Sequence, residues 1–201
     1  NNLGVIKVQD LYIYINKNDV DTCLKYGIKL SEYSNKILKL QNMEKRGILA
    51  FLSPKDSDLY IDENYECIRV NIKDLNTIIY NKLCENTPLI DEFYCDISEY
   101  SIGDYELPEA IICSSILQEN LSIYNKILDK PLLVQNSREF YYEKSINDIL
   151  DSDKFSKYEL YQMLLILGDQ KKVFKIEKKD DLKLYKDPIN GKTYTKRSNF
   201  Y

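Results

Sequence analysis

The chain has 201 residues, of which 44% are hydrophobic and 30% charged, a composition that excludes a disordered chain and fits one domain with or without an extension. It contains no histidine, which excludes every mechanism that depends on an imidazole, and no stretch approaches the roughly 18 apolar residues of a membrane span. We therefore predict a soluble cytoplasmic protein.

Metal sites and the commonest nucleotide motifs are not predicted. The five cysteines are odd in number and none stands in a CxxC pair, so we expect buried free thiols. A metal would have to be held by carboxylates alone, and the acidic residues lack the spacing of a calcium loop. Neither GxxxxGK(S/T) nor GxGxxG occurs, and a serine or cysteine nucleophile would lack its usual base.

The net charge of −4 is unevenly distributed along the chain. Residues 171–197 carry ten basic and four acidic side chains, whereas residues 85–109 carry eight acidic and no basic ones. Such asymmetry indicates a nucleic-acid contact, an internal electrostatic match or a solvated lysine-rich surface.

In chain order, the first predicted element is a strand over Leu11–Ile15, which is built from β-branched and aromatic residues. Asn18 is typical of a helix N-cap and Gly27 of a C-terminal stop, so a short helix is predicted between them. Glu32–Leu40 is a second amphipathic stretch.

The middle of the chain combines further strands with a predicted helix. The apolar run Ile48–Leu52, closed by Ser53–Pro54, predicts a strand and a turn. Glu66–Ile72 alternates polar and apolar residues with the period of a half-buried strand. Asp74 predicts the cap of a helix over residues 75–79.

The acidic segment Glu85–Glu106 lacks periodicity, and we predict a loop with short extended pieces. Ala110–Cys113 has the length and composition of a buried strand. Ser115 and Gln118 have the spacing of a capping box, which predicts a helix over Ile116–Leu128.

The C-terminal part is predicted to contain a helix and a hairpin. Ser156–Glu159 has the capping-box pattern before the apolar run Leu160–Leu167, which predicts a buried helix. Val173–Ile176 and Leu182–Tyr185 are predicted strands, and Asn190–Gly191 is typical of a hairpin turn.

Three blocks of the sequence follow one another in an order that is known from one superfamily. The first is Leu11–Ile15 with the helix that ends in Gly27–Ile28, the second is Gly47–Tyr60, and the third is Leu107–Ile112, followed by Ser115. Together they resemble the ADP-ribosyltransferase superfamily, most closely its small bacterial and DNA-modifying toxin branches. In that superfamily the corresponding blocks are a Leu-Tyr-His-x-Thr strand with its helix, an NAD-lining element and the strand with the catalytic glutamate.

The resemblance implies an α+β fold with a mixed, split β-sheet and flanking helices over residues 1–130, followed by a C-terminal helix and β-hairpin extension over 131–201. It also implies cleavage of the nicotinamide–ribose bond of NAD, used as a substrate, through an oxocarbenium-like transition state. Glu109 falls at the position of the glutamate that stabilises the developing positive charge, and Glu106 is its close competitor.

Ile13, Ser53 and Tyr60 fall at the positions with which the superfamily holds NAD. The resemblance places Ser53 near the nicotinamide and Tyr60 where its ring can stack. The sequence departs from the pattern at Ile13 and again two residues later, because an apolar side chain donates no hydrogen bond to ribose or phosphate. An active enzyme and a catalytically degenerate one both stay open, and Arg46 or Arg69 is a candidate for the missing cation.

A non-enzymatic binding module is the alternative function. The C-terminal segment interleaves aromatic residues with a basic set that suits nucleic acid or an acidic protein, namely Lys183, Lys186, Lys192, Lys196 and Arg197. A third alternative is an interaction domain that keeps the fold alone.

Overall fold

The computed structural model describes residues 7–85, 88–150, 156, 158–159, 161–162, 165, 174–179, 182–186, 191 and 193–197. The chain forms two compact units, Asn1–Tyr141 and Tyr142–Tyr201. Each unit has its own β-structure and its own hydrophobic cluster.

The first unit consists mainly of antiparallel strands connected by short helices and loops. Its strands are β1 (Asp10–Asn16), β2 (Lys36–Lys39), β3 (Glu44–Ala50), β4 (Tyr65–Asn71), β5 (Thr77–Asn81), β6 (Tyr94–Asp96), β7 (Pro108–Ile112) and β8 (Leu121–Ile123). Its α-helices are α1 (Val20–Tyr26) and the single turn α2 (Leu30–Tyr33), and α3 (Ser137–Leu150) begins at its end. Short 3-10 turns occur at Pro54–Asp56, Asp58–Ile61, Lys82–Cys84, Asp91–Phe93 and Gln118–Asn120.

One sheet of this unit has three antiparallel strands in the order β1-β4-β8. In β1 the buried residues Leu11, Ile13 and Ile15 lie on one face and alternate with tyrosines on the other, where Tyr12 is buried in a small separate cluster. Ile13 lies opposite Ile68 of β4. The strands predicted over 11–15 and 66–72 are therefore confirmed.

The other sheet has five strands in the order β2-β3-β7-β5-β6, again with antiparallel neighbours. Its central strand β7 is buried at every position, which accounts for the continuous apolar run predicted there. Tyr12 and Phe51 exchange two backbone hydrogen bonds of 2.9 Å, which link β1 to the residue that follows β3.

The two faces of β7 pack into different hydrophobic clusters. Ala110 and Ile112 belong to a large cluster that also contains Ile13, whereas Ile111 packs in a smaller cluster with Tyr80. Because successive side chains of a strand point to opposite faces, the residues of β7 alternate between the two clusters.

The helix predicted after Asp74 is wrong. Asp74 has a left-handed φ of 63°, and the chain then continues as β5 between β7 and β6. The run Thr77–Tyr80 consists of β-branched and aromatic residues that are all buried, so strand pairing outweighs the local cap signal.

The helix predicted over Ile116–Leu128 is also wrong. The Ser115 hydroxyl accepts a hydrogen bond of 3.0 Å from the Leu30 N–H, so it caps no helix of its own. The segment forms a 3-10 turn and then β8, which pairs with β4. Tertiary contacts again decide what a local pattern leaves ambiguous.

Two details of the N-terminal prediction also differ. The N-cap of α1 is Asp19 and not Asn18, although Gly27 ends the helix as predicted. The amphipathic stretch 32–40 contains the end of α2 and then β2, which forms a hairpin with β3. A pattern that suits a helix face also fits a strand when one side is buried.

The second unit contains a sheet of the order β11-β10-β9, formed by β9 (Lys175–Lys179), β10 (Leu182–Lys186) and β11 (Thr193–Arg197). The pairing of β10 with β11 confirms the predicted hairpin, in which Gly191 has a φ of 69°. β10 confirms the strand predicted over 182–185, whereas β9 overlaps the strand predicted over 173–176 only at residues 175 and 176. Its hydrophobic cluster is centred on Ile146, Leu165, Phe174 and Tyr185.

The capping box predicted before the last helix is confirmed. The Ser156 N–H donates to the Glu159 carboxylate at 2.9 Å, and the Glu159 N–H donates back to the Ser156 hydroxyl at 3.3 Å. Of the helix predicted over 160–167, the structure describes residues 161, 162 and 165, which are helical.

The described residues thus belong to the predicted α+β class, with antiparallel sheets and few helices. None of the five cysteines, which all lie in the described ranges, forms a disulfide, and Cys23 and Cys67 are buried. None of the helices within the described ranges has the length and apolarity of a membrane span.

Candidate functional site

Glu109 is a nearly fully buried carboxylate in the central strand of the five-stranded sheet, where it is only 4% exposed. Its Cα partner on β5 is Tyr80, whose hydroxyl donates a hydrogen bond of 2.5 Å to Glu109 Oε2. Lys82 lies two residues after Tyr80, and its Nζ is 2.5 Å from Glu109 Oε1. Both carboxylate oxygens therefore have a partner.

A second ion pair adjoins Tyr80. Lys36 Nζ contacts Glu85 Oε1 and lies 5.8 Å from the centroid of the Tyr80 ring. We call Lys36, Tyr80, Lys82, Glu85 and Glu109 the Glu109 cluster. Burial is the main cause that raises the pKa of Tyr80, followed by its hydrogen bond to Glu109, so the phenol keeps its proton and acts as a donor.

The Glu109 cluster holds a buried, oriented carboxylate, and one of the two partners of that carboxylate is a half-exposed lysine. The Lys82 side chain is 48% exposed and that of Glu109 is 5% exposed, so the ion pair connects the surface to the buried charge. A charge in a low dielectric acts strongly on a positive centre placed beside it. Among the described residues no group of three possible ligands converges on a metal ion.

Ile13 lies apart from the Glu109 cluster. Its side chain is 1% exposed and belongs to the large hydrophobic cluster with Ala110 and Ile112, on the face of β7 opposite to Glu109. Ile15 is a buried member of the same hydrophobic cluster. Both positions of the first strand that depart from the superfamily pattern are thus core positions.

Ser53 belongs to a separate polar cluster that fastens the segment after β3 to the start of α3. Its fully buried hydroxyl donates to the Gln135 carbonyl at 2.9 Å and accepts from the Lys55 N–H at 3.2 Å. Asp56 accepts hydrogen bonds from the Ser53 N–H at 2.9 Å and from the N–H and hydroxyl of Ser137, each at 2.6 Å. Burial raises the pKa of Asp56, although these hydrogen bonds act in the opposite direction.

Tyr60 is half-buried in the 3-10 turn Asp58–Ile61, and Lys126 covers its ring with Nζ 4.3 Å from the centroid. Ile13, Ser53 and Tyr60 therefore occupy three different environments. Within the described part of the chain, no hydrogen bond, ion pair or ring contact joins any of them to the Glu109 cluster.

Arg46 and Arg69, the candidates for the cation missing from β1, both have other partners. Arg46 Nε donates to the Ser34 hydroxyl at 2.7 Å. Arg69 forms an ion pair of 3.1 Å with Asp129. Neither belongs to the Glu109 cluster.

The basic residues predicted to contact a partner lie mostly in the sheet of the second unit. Lys183 of β10 and Lys196 of β11 are direct Cα partners. Lys186 forms an ion pair within the sheet, and Arg197 is the last residue of β11. Lys192 lies outside the described residues.

Sequence reasoning missed three residues of these sites. The sequence prediction of a helix over residues 75–79 leaves out Tyr80 and Lys82, whereas in the structure β5 pairs Tyr80 with Glu109 and ends just before Lys82. Asp56 was missed although Ser53 and Asp56 have the spacing of a capping box, which the structure contains.

Comparisons with family models, curated proteins and solved structures found no match to this chain. Support for a function therefore comes from the side chains themselves and from the resemblance of the three sequence blocks.

Proposed function

We propose that residues 7–141 form an ADP-ribosyltransferase-like domain that takes NAD as a substrate and uses Glu109 as its catalytic carboxylate. The sequence resemblance implies a split sheet, and two antiparallel sheets linked at Tyr12 and Phe51 are compatible with that arrangement. The proposed reaction breaks the nicotinamide–ribose bond and transfers ADP-ribose to a macromolecule or to water.

The observation that carries the proposal is the burial of Glu109 with both carboxylate oxygens held in place. Burying a carboxylate costs on the order of several kcal/mol, which a fold accepts where the charge has a use or a full set of partners. Cleavage of the nicotinamide–ribose bond moves positive charge from the pyridinium ring onto the ribose, and a fixed carboxylate beside the ribose stabilises that charge more in the transition state than in the ground state.

Lys82 has to release Glu109 Oε1 before a ribose can approach that oxygen. Its half-exposed ammonium can move into water at modest cost, while the buried Tyr80 hydroxyl continues to hold Oε2. Lys82 and Lys36 then supply positive charge for the diphosphate, which Ile13 cannot bind. The NAD contacts of Ser53 and Tyr60 stay predictions.

Nicotinamide release from NAD, together with the melting temperature in millimolar NAD, tests the proposal. The variant is Glu109→Gln, which keeps the shape of the side chain and removes its charge. The matched control is Glu106→Gln, because Glu106 loses the same charge three residues earlier, where it pairs with Arg138 at 2.9 Å. We expect release to fall by about 100-fold in Glu109→Gln and to stay at the wild-type rate in the control.

The outcomes separate the alternatives. A wild-type protein that neither melts higher with NAD nor releases nicotinamide contradicts the proposal. A higher melting temperature without release identifies a degenerate domain that still binds NAD. Loss of release in Glu106→Gln alone would transfer the catalytic role to Glu106.

A further inference from the structure

The sheet of the second unit concentrates positive charge in a chain whose net charge is −4. Its three strands carry one acidic residue, Glu177, and seven basic ones. The basic residues are Lys175, Lys178, Lys179, Lys183, Lys186, Lys196 and Arg197.

The strand register aligns lysines across all three strands. Lys183 of the central strand β10 has Lys178 of β9 as its Cα partner on one side and Lys196 of β11 on the other. We call these three residues the lysine row. Lys179 and Arg197 pair with Leu182 at the next register position and do not extend the row, because successive residues of a strand alternate between the two faces of the sheet.

Such a row is unfavourable unless an anion lies against it. Directly opposite like charges destabilise a sheet. Glu177 does not relieve the row, because it pairs with Lys186 at 2.8 Å. Within the ranges that the structure describes, neither Lys178 nor Lys183 forms an ion pair with a carboxylate.

Protection of a sheet edge does not account for the lysine row. Lysines on an edge strand such as β9 prevent pairing with other chains, and all five residues of β9 are exposed. Lys183 lies in the central strand, however, where both edges are already paired. Its charge therefore calls for another explanation.

We propose that the lysine row binds the phosphate backbone of a single-stranded nucleic acid. Lysine ammonium groups are point charges that suit phosphates contacted without regard to sequence, whereas carboxylates of an acidic protein are matched better by the fork of arginine. Two positions along the strands from the row, Tyr194 pairs with Tyr185, and its half-buried ring packs against Phe174 and Tyr161, so aromatic rings border the row. Basic residues beside aromatic rings are typical of surfaces that bind single strands.

Fluorescence anisotropy of the full chain with a labelled oligothymidylate of about 12 nucleotides tests this proposal. The variant is Lys178→Gln/Lys183→Gln, and the control is Lys39→Gln/Lys73→Gln, which removes the same charge from exposed positions of the first unit. Each lost phosphate contact should reduce the salt slope by about 0.7, so we expect a reduction of about 1.4 and an affinity loss of at least about tenfold at low salt. The control should bind like the wild type.

A third variant, Lys178→Arg/Lys183→Arg, keeps the charge and should keep the binding, which separates a lost contact from a damaged fold. Wild-type protein that does not bind the oligonucleotide, or binding that weakens equally in both glutamine variants, overturns the proposal. Stronger displacement of the oligonucleotide by polyglutamate than by unlabelled oligothymidylate would instead identify an acidic protein as the partner. Tighter binding of a duplex would overturn the assignment to single strands.

Discussion

The hydroxyl of Tyr80 and the carboxylate of Glu109 form a hydrogen bond of 2.5 Å between neighbouring strands inside the five-stranded sheet. Tyr80 is fully buried and Glu109 is 4% exposed, so neither group can turn to water when the other is removed. Lys82 reaches the same carboxylate from a half-exposed position. Glu109 therefore has one buried partner, Tyr80, and one half-exposed partner, Lys82.

This difference predicts unequal effects on stability. Tyr80→Phe should lower the free energy of unfolding by about 1–3 kcal/mol, because it leaves Glu109 Oε2 desolvated without a donor. Lys82→Met should lower it by less, because water reaches the half-exposed position of the Lys82 ammonium and can donate to Glu109 Oε1 in its place. Urea unfolding of the two variants measures both values, and a larger loss in Lys82→Met would show that the ion pair dominates.

Replacing Thr77 by valine should increase the free energy of unfolding. Its side chain is fully buried, and within the described part of the chain its hydroxyl has no hydrogen-bond partner. Thr77→Val replaces the hydroxyl by a methyl group of similar size and should raise the free energy of unfolding by about 1 kcal/mol. The exposed Thr193 offers a control, since Thr193→Val should change little. A loss of stability in Thr77→Val would show that the hydroxyl binds a buried water.

Replacing Gly27 should strongly decrease the free energy of unfolding. Its φ of 80° and ψ of −177° lie in a region that is almost restricted to glycine, and an added Cβ would stand 2.5 Å from the carbonyl oxygen of Ile116. Gly27→Ala should therefore cost about 3 kcal/mol or more, the sum of strain and the clash. Gly191→Ala is the matched control, because Gly191 has a φ of 69° with open space around it and should cost only about 1 kcal/mol. If the two variants shifted the urea midpoint equally, the close approach of Gly27 to the Ile116 carbonyl would have no effect on stability.

The strands that were predictable from the sequence are those whose burial leaves a simple pattern. β1 and β4 alternate because one face is apolar, and β7 is continuously apolar because both faces are covered. β5 has an equally clear β-branched run, yet Asp74 before it imitates a helix cap. The pairing of β5 with β7 decides between a helix and a strand for this segment. That pairing cannot be read from a short stretch of sequence, because β7 is distant along the chain.

The partners of the candidate site also depend on strand pairing that the local sequence does not reveal. Glu109 could be selected from its position before a buried strand, but its partners depend on the register that sets Tyr80 opposite it. A shift of the register by one residue would turn Tyr80 to the other face of the sheet. Ser53 and Asp56, by contrast, are three residues apart, and their mutual hydrogen bonds follow from a local rule that could have been applied.

The buried carboxyl group of Asp56 should make the free energy of unfolding depend on pH. Burial raises its pKa above the ordinary 3.8, so the folded protein binds the Asp56 proton more tightly than the unfolded chain does. The stabilisation from this proton is complete below the unfolded pKa and is lost as the pH rises through the folded pKa. Relative to Asp56→Asn, which is uncharged at every pH, the wild type should therefore lose stability as the pH rises above the unfolded pKa of about 4 and through the raised folded pKa.

Urea unfolding at a series of pH values measures that difference, and Ser137→Ala provides an internal test of its cause. The Ser137 hydroxyl donates to Asp56 Oδ2 at 2.6 Å and opposes the rise of the pKa, so its removal should raise the pKa of Asp56 further. The loss of stability with rising pH, measured between Ser137→Ala and the double variant Ser137→Ala/Asp56→Asn, should then be larger and extend to higher pH than in the wild-type background. If the wild type instead gained stability relative to Asp56→Asn as the pH rises, the hydrogen bonds from Ser53 and Ser137 would outweigh burial. The segment after β3 would then be held by an ionised Asp56.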